Sequence, residues 1–178
     1  MKITAFAGSN SSTSINKQLV RFACSYLNGY EIDLLDLNDY EMPLFSVDRE
    51  AANGYPGEAY TFLEKLANAD ALVVSLAENN RTYSVAFKNI FDWISRIEKK
   101  PFFDKPMLLM STSPGGYGGG NVMETAKKFL PQFGTEIIET FSLPKFQENF
   151  GQGRGIIHPE YKRELEEKVE SFKNAISP

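Results

Sequence analysis

The segment Lys2–Ser14, KITAFAGSNSSTS, decides the fold. Lys2–Ala7 reads as a strand. Gly8–Ser14 is a loop too polar for a core. Behind it, Ile15, Leu19, Phe22, Ala23 and Tyr26 share one face at helical spacing, and Ser14 is a natural N-cap. The unit is a strand, a polar turn and the head of a helix.

Working outward, the same alternation continues. Glu31–Leu37 (EIDLLDL) is a second strand, followed by a long irregular segment, Asn38–Pro56, and a helix, Glu58–Ala69. Ala71–Leu76 (ALVVSL) has the apolar character of a central parallel strand. Ala77–Tyr83 is a second polar loop, and Ser84–Ile97 is a helix with Phe87, Ile90, Phe91, Ile94 and Ile97 inward. Pro106–Met110 is the fourth strand, with Ser111–Gly120 as its loop. Asn121–Phe133 is a helix with Gly134 at its C′ position, Thr135–Leu143 the fifth strand and Pro159–Ile176 the last helix.

Five strands separated by helices predict one α/β domain over residues 1–178, a parallel sheet between two helical layers with right-handed crossovers. Of the common doubly wound orders, five strands suit 2-1-3-4-5, the flavodoxin-like three-layer sandwich. Its ligand crevice opens where the first and third strands end. The loops there are Gly8–Ser14 and Ala77–Tyr83, among the most polar in the chain.

Composition narrows the function. The 178 residues carry a net charge of −4, and Lys and Arg are scattered rather than striped, which argues against nucleic acid or an anionic membrane as partner. No apolar run has the length of a membrane span or a signal peptide. Cys24 is the only cysteine, so neither an internal disulfide nor a Cys/His metal cluster is expected, and the expected location is cytoplasmic.

The first loop carries the chemistry. A helix head offers unpaired N–H groups and a positive dipole end. Ser9, Ser11, Ser12, Thr13 and Ser14 add hydroxyls, Asn16 adds an amide, and Lys and Arg are absent from the loop. This composition fits a phosphate held by neutral donors. It matches neither a Walker A loop nor G-x-G-x-x-G. Alone, the loop is equally a serine-rich turn that only caps a helix.

Longer motifs break the tie. Gly8-Ser9…Ser14-Ile15-Asn16 resembles the G-S-x-R-x-x-S-x-N opening of the NAD(P)H-dependent FMN reductase family. Asp36-Leu37…Met42-Pro43-Leu44-Phe45 resembles its D-L…P-L-F/Y segment. Glu78-Asn79-Asn80…Lys88-Asn89-Ile90-Phe91-Asp92-Trp93-Ile94-Ser95-Arg96 resembles its P-E-Y-N…L-K-N-A-I-D-W-x-S-R block, the most specific of the matches. Ser113-Pro114-Gly115…Gly118-Gly119 resembles its S-P-G…G-G loop.

The resemblance implies bound FMN, with NAD(P)H as co-substrate and a small-molecule acceptor: a quinone, an azo compound, a metal oxyanion or free flavin. It places the FMN phosphate at Ser9, Ser11, Ser14, Ile15 and Asn16. The isoalloxazine would lie along Ala77, Glu78, Asn79 and Asn80. Its pyrimidine side would meet Ser113, Pro114, Gly115 and Gly116. It also implies a homodimer or homotetramer. Three stretches depart from the pattern: Ser11 replaces an arginine, Ala77 and Asn79 stand for the proline and the aromatic of P-E-Y-N, and Ser84-Val85 replaces a Pro-Gly. Other readings of the same residues are a flavodoxin-type electron carrier, and a relative that senses or scaffolds without turnover. Mild charge and the aromatic lost at Asn79 argue against the carrier.

A few residues stand apart. Trp93 lies off the inward stripe of its helix, at a subunit interface or under a loop. Asp92 and Arg96 are spaced for an ion pair. Tyr117 either packs its glycine-rich loop down or borders the flavin. Arg81 and Thr82 are placed to meet the nicotinamide cofactor. Cys24 and His158 are read as structural.

Overall fold

The computed structural model describes residues 1–177. In chain order the elements are β1 (Lys2–Gly8), α1 (Ile15–Cys24), β2 (Glu31–Leu35), α2 (Val47–Asn53), α3 (Gly57–Ala67) and β3 (Ala71–Leu76). Then come β4 (Glu78–Asn79), β5 (Thr82–Tyr83), α4 (Val85–Ile97), β6 (Lys105–Thr112), α5 (Gly120–Phe129) and β7 (Thr135–Leu143). The chain closes with α6 (Phe146–Asn149), β8 (Phe150–Gly151), β9 (Gly155–Ile156) and α7 (Pro159–Ile176).

β2, β1, β3, β6 and β7 form one parallel sheet in that order, the 2-1-3-4-5 arrangement of a flavodoxin-like α/β sandwich. The inner strands are apolar because both faces are covered. One face packs Leu19, Val20 and Ala23 of α1 with Leu165, Val169 and Phe172 of α7. The other packs Phe62 and Leu66 of α3, Phe87, Ile90 and Phe91 of α4, and Val122 and Ala126 of α5. Phe6 of β1 meets Phe62 edge to face at 5.4 Å. Each such ring contributes about 1.5–3 kcal/mol by leaving water.

Several expected boundaries move, each for a physical reason. β2 stops at Leu35, because the Asp36 carboxylate accepts the Asn38 N–H at 3.2 Å and turns the chain into a 3₁₀ turn, Leu37–Tyr40. The stretch 38–56 is not irregular: α2 lies within it, capped by Ser46 Oγ and closed by Gly54 at φ 71°. α1 ends at Cys24, which leaves Tyr26 beyond it. β6 runs on to Thr112, so Ser111 and Thr112 are buried strand residues rather than loop; their hydroxyls donate to Gly118 O (2.8 Å) and Leu143 O (2.7 Å). The expected 121–133 helix divides into α5 and a 3₁₀ turn at Pro131. α6 and the β8–β9 hairpin were not anticipated.

Trp93 is 1% exposed and belongs to the core. Its indole N–H donates to Pro43 O at 2.7 Å and its ring meets Phe45 edge to face at 5.0 Å. Asp92 and Arg96 do not pair with each other: Asp92 takes Lys88, and Arg96 takes Glu50. His158 heads α7 without a side-chain capping bond and lies 4.7 Å from the Tyr161 ring. Cys24 is half-buried, and burial pushes its thiol up to about 12. Among the described residues no helix is long and apolar enough to cross a membrane, and no cluster of metal ligands occurs.

Candidate functional site

β1, β3 and β6 end at one edge of the sheet, and the loops that follow them are cross-linked. The first, Ser9–Ser14, is built from its own hydroxyls. Ser9 Oγ accepts the Ser11 N–H at 3.2 Å, and Ser11 Oγ accepts the Thr13 N–H at 3.3 Å. Ser14 caps α1 by accepting the Lys17 N–H at 3.2 Å. The N–H groups of Ile15 and Asn16, in the first turn, have no intrahelical acceptor. Lys17, the nearest following cation, is ion-paired with Asp36. Burial works to raise the Asp36 carboxyl, but Lys17 and the Asn38 N–H outweigh it and hold that group below the usual range. The turn therefore presents neutral donors.

Asn16 does something the sequence did not disclose. It is 3% exposed and its side chain turns into the sheet. Oδ1 accepts Ser75 Oγ–H at 2.7 Å and the Thr112 N–H at 3.0 Å, while Nδ2 donates to Thr112 O at 3.2 Å. The expected amide contact with a phosphate gives way to a stitch from α1 across β3 to β6. Only the Asn16 backbone N–H remains for a ligand at the turn.

The second loop is a hairpin, β4 against β5. Asn80 and Arg81 both have positive φ, 49° and 67°, as a type I′ turn requires. Arg81 at this position costs about 1–2 kcal/mol relative to a glycine. The hairpin is fixed at both ends. The Glu78 carboxylate accepts the Val122 N–H (2.9 Å) and Asn121 Nδ2–H (3.0 Å), capping α5 rather than lying free along a ligand. Ser84 Oγ donates to Gly8 O at 2.7 Å and accepts the Phe87 N–H at 3.1 Å, capping α4. Ala77 is half-buried, and Asn79, Asn80, Arg81 and Thr82 are exposed.

The third loop holds Ser113, Pro114, Gly115 and Gly116 at its outer edge. It is backed by Lys145 N–H on Gly115 O (2.9 Å) and Phe146 N–H on Ser113 O (3.1 Å). The conformational demand falls on Gly118 and Gly119. Both have positive φ; a Cβ on Gly118 would lie 3.0 Å from Pro144 N, and one on Gly119 would lie 3.0 Å from Ser111 Cβ. Gly116 instead faces open space, and a Cβ on Gly115 would meet only Ser113 Oγ, at 3.8 Å. Tyr117 is 64% exposed while its ring covers Gly120, so it packs its loop and remains accessible.

Two cavities flank these loops. One, of about 600 Å³, lies between Ser12–Ile15, with Lys17 and Arg21 of α1, and Phe146, Gln147 and Phe150. The other, of about 380 Å³, lies between Asn10, Asn79, the 41–44 segment and the head of α4.

An open parallel sheet with polar loops and a serine-rich helix head at its switch point is the doubly wound α/β class, whose ligands bind at that edge. More particularly, the chain belongs to the NADPH-dependent FMN reductase family, whose profile matches residues 1–148. It is 32% identical over 124 residues to an NADPH:quinone oxidoreductase of Arabidopsis thaliana, covering 67% of this chain and 61% of that protein. It is 24% identical over 178 residues to the NADH:(hydroxy)cinnamate reductase subunit CrdA of Vibrio ruber, covering 97% of this chain and 85% of that protein. The chain spans only 61–65% of the length of the first quinone-reductase relatives it matches. Its fold is that of FerB, a flavoenzyme NAD(P)H:(acceptor) oxidoreductase of Paracoccus denitrificans, with TM-score 0.78, 24% identity and coverage of 98% and 96% of the two chains.

Proposed function

We propose that the chain binds FMN and, as an oxidoreductase, passes electrons from NAD(P)H to a small acceptor such as a quinone. The observation that carries this reading is the α1 turn: the hydroxyls of Ser9, Ser11 and Ser14 and the first-turn N–H groups of Ile15 and Asn16 belong to one short stretch without Lys or Arg, beside a cavity that Lys17 and Arg21 also line. These donors fit a phosphomonoester. The open space beside Gly116 leaves room for a flat ring at the third loop.

Bound there, FMN supplies hydride acceptance from NAD(P)H and two-electron delivery to an acceptor; the protein binds, orients and tunes it. The residues of this chain divide that work. Ser14 fixes the helix head. Asn16 sets the distance from that head to β6. Glu78 and Ser84 hold the hairpin rigid, so that Asn79 and Asn80 keep their places. Backbone N–H groups in Ser113–Gly116 are placed to favour negative charge on the pyrimidine side of the ring. Quinones are favoured among acceptors because the Arabidopsis relative is an NADPH:quinone oxidoreductase.

The test is spectroscopic. Purified protein, reconstituted with FMN if needed, shows oxidised-flavin bands that bleach on anaerobic addition of NADPH and return with menadione. Failure to retain or bind FMN would overturn the reading. A narrower expectation concerns the cap: Ser14→Ala costs about 1 kcal/mol of stability and, by loosening the phosphate turn, weakens FMN binding about tenfold. Thermal unfolding and fluorescence titration with FMN measure the two effects separately.

A further inference from the structure

The smaller cavity, of about 380 Å³, touches two of the three cofactor loops through Asn10 and Asn79. Its volume is at the small end for a ligand pocket. Met42, Leu44 and Val85 supply apolar wall. Two further asparagines at its rim are already engaged: Asn38 Nδ2 donates to Asp36, and Asn89 bonds Phe45 N–H and Met42 O. The side-chain amides of Asn10 and Asn79 have no hydrogen-bond partner among the described residues, so both remain available as donors. Lys and Arg are absent from the lining, and its one formal charge is the exposed carboxylate of Glu41, which is in no ion pair among the described residues.

Asn79 stands where the family pattern has an aromatic. The shorter side chain leaves room beside Leu44 and Val85 and puts an N–H donor where an aromatic face would be. A site with unpaired donors, apolar walls and a lone negative charge discriminates in a definite direction. It rewards carbonyl oxygens, and it penalises anions by a repulsion that added salt weakens.

We propose that this cavity is the acceptor subsite, and that it selects uncharged, flat, carbonyl-bearing acceptors: Asn10 and Asn79 donate to the carbonyl oxygens and Glu41 turns anionic acceptors away. The inference rests on the oxidoreductase reading above and adds to it the charge class of the acceptor and the residues that set it.

Trp93, the only tryptophan, gives a readout independent of the flavin, because its indole is bonded to Pro43 between Met42 and Leu44. Full-length protein, with and without FMN, is titrated with menadione and with 1,4-naphthoquinone-2-sulfonate while tryptophan emission is followed. Menadione is expected to quench saturably, and the sulfonate to bind at least about tenfold more weakly. Glu41→Gln brings the two within about threefold. Asn79→Tyr, which fills the cavity, and Asn10→Leu, which removes a donor, each weaken menadione about tenfold. Equal affinities in the unmodified protein, a preference untouched by Glu41→Gln, or menadione binding unchanged in both asparagine variants would each overturn the inference. A protein that binds no FMN but shows the selective quench defeats the oxidoreductase reading alone. One that turns over NADPH but shows no selective quench defeats this inference alone.

Discussion

Asn16→Leu is expected to lower stability by about 3–5 kcal/mol and to weaken FMN binding at least about a hundredfold. Leucine has nearly the shape of asparagine, so the loss comes from polarity. Three buried groups lose their partner at once: Ser75 Oγ–H, Thr112 N–H and Thr112 O. Each unsatisfied buried group costs about 1–3 kcal/mol. The same change unties α1 from β6, on which the distance between the Ser9–Ser14 turn and the Ser113–Gly116 loop depends. A small displacement of a preorganised site costs orders of magnitude in function. Urea unfolding and FMN titration read the two effects. A stability loss below about 1 kcal/mol would show that water can replace the amide.

The second large effect is expected at Trp93. Trp93→Ala removes a side chain that is almost wholly enclosed, at a cost of about 3–5 kcal/mol. It also deletes the Pro43 bond and the edge-to-face contact with Phe45, so the 42–45 segment is then held chiefly by Asn89. Against a typical total stability of about 5–15 kcal/mol, the variant unfolds at a much lower temperature. Trp93→Phe keeps most of the apolar contact and is expected to cost about 1–2 kcal/mol. Calorimetry on the two variants separates packing from the hydrogen bond; equal losses would contradict this division.

These two residues show where sequence stops informing structure. β3, β7 and α7 have the limits their apolar patterns foretold, because burial on a sheet face or along a helix stripe leaves a local period. α2 left no such trace: none of its residues is buried, so it has no stripe to read. Trp93 lies off the inward stripe of its helix, which leaves a subunit interface and a covering loop both open; the loop that covers it is about fifty positions away and leaves no local period. The serine-rich turn at the candidate site was visible in the letters, since hydroxyls and a helix head are neighbours along the chain. The duties of Asn16 and Glu78 were not, because their partners lie 96 and 44 residues downstream. Among the glycines, Gly118 and Gly119 bear the strained conformations, and only the backbone distinguishes them from Gly115 and Gly116.

The raised thiol of Cys24 has a chemical consequence. Quinones are electrophiles, and the species they alkylate is the thiolate. Burial raises the ionisation of this thiol and so keeps it protonated at neutral pH. Burial thus holds the one sulfhydryl of the chain in the form least prone to arylation by any electrophile that reaches it.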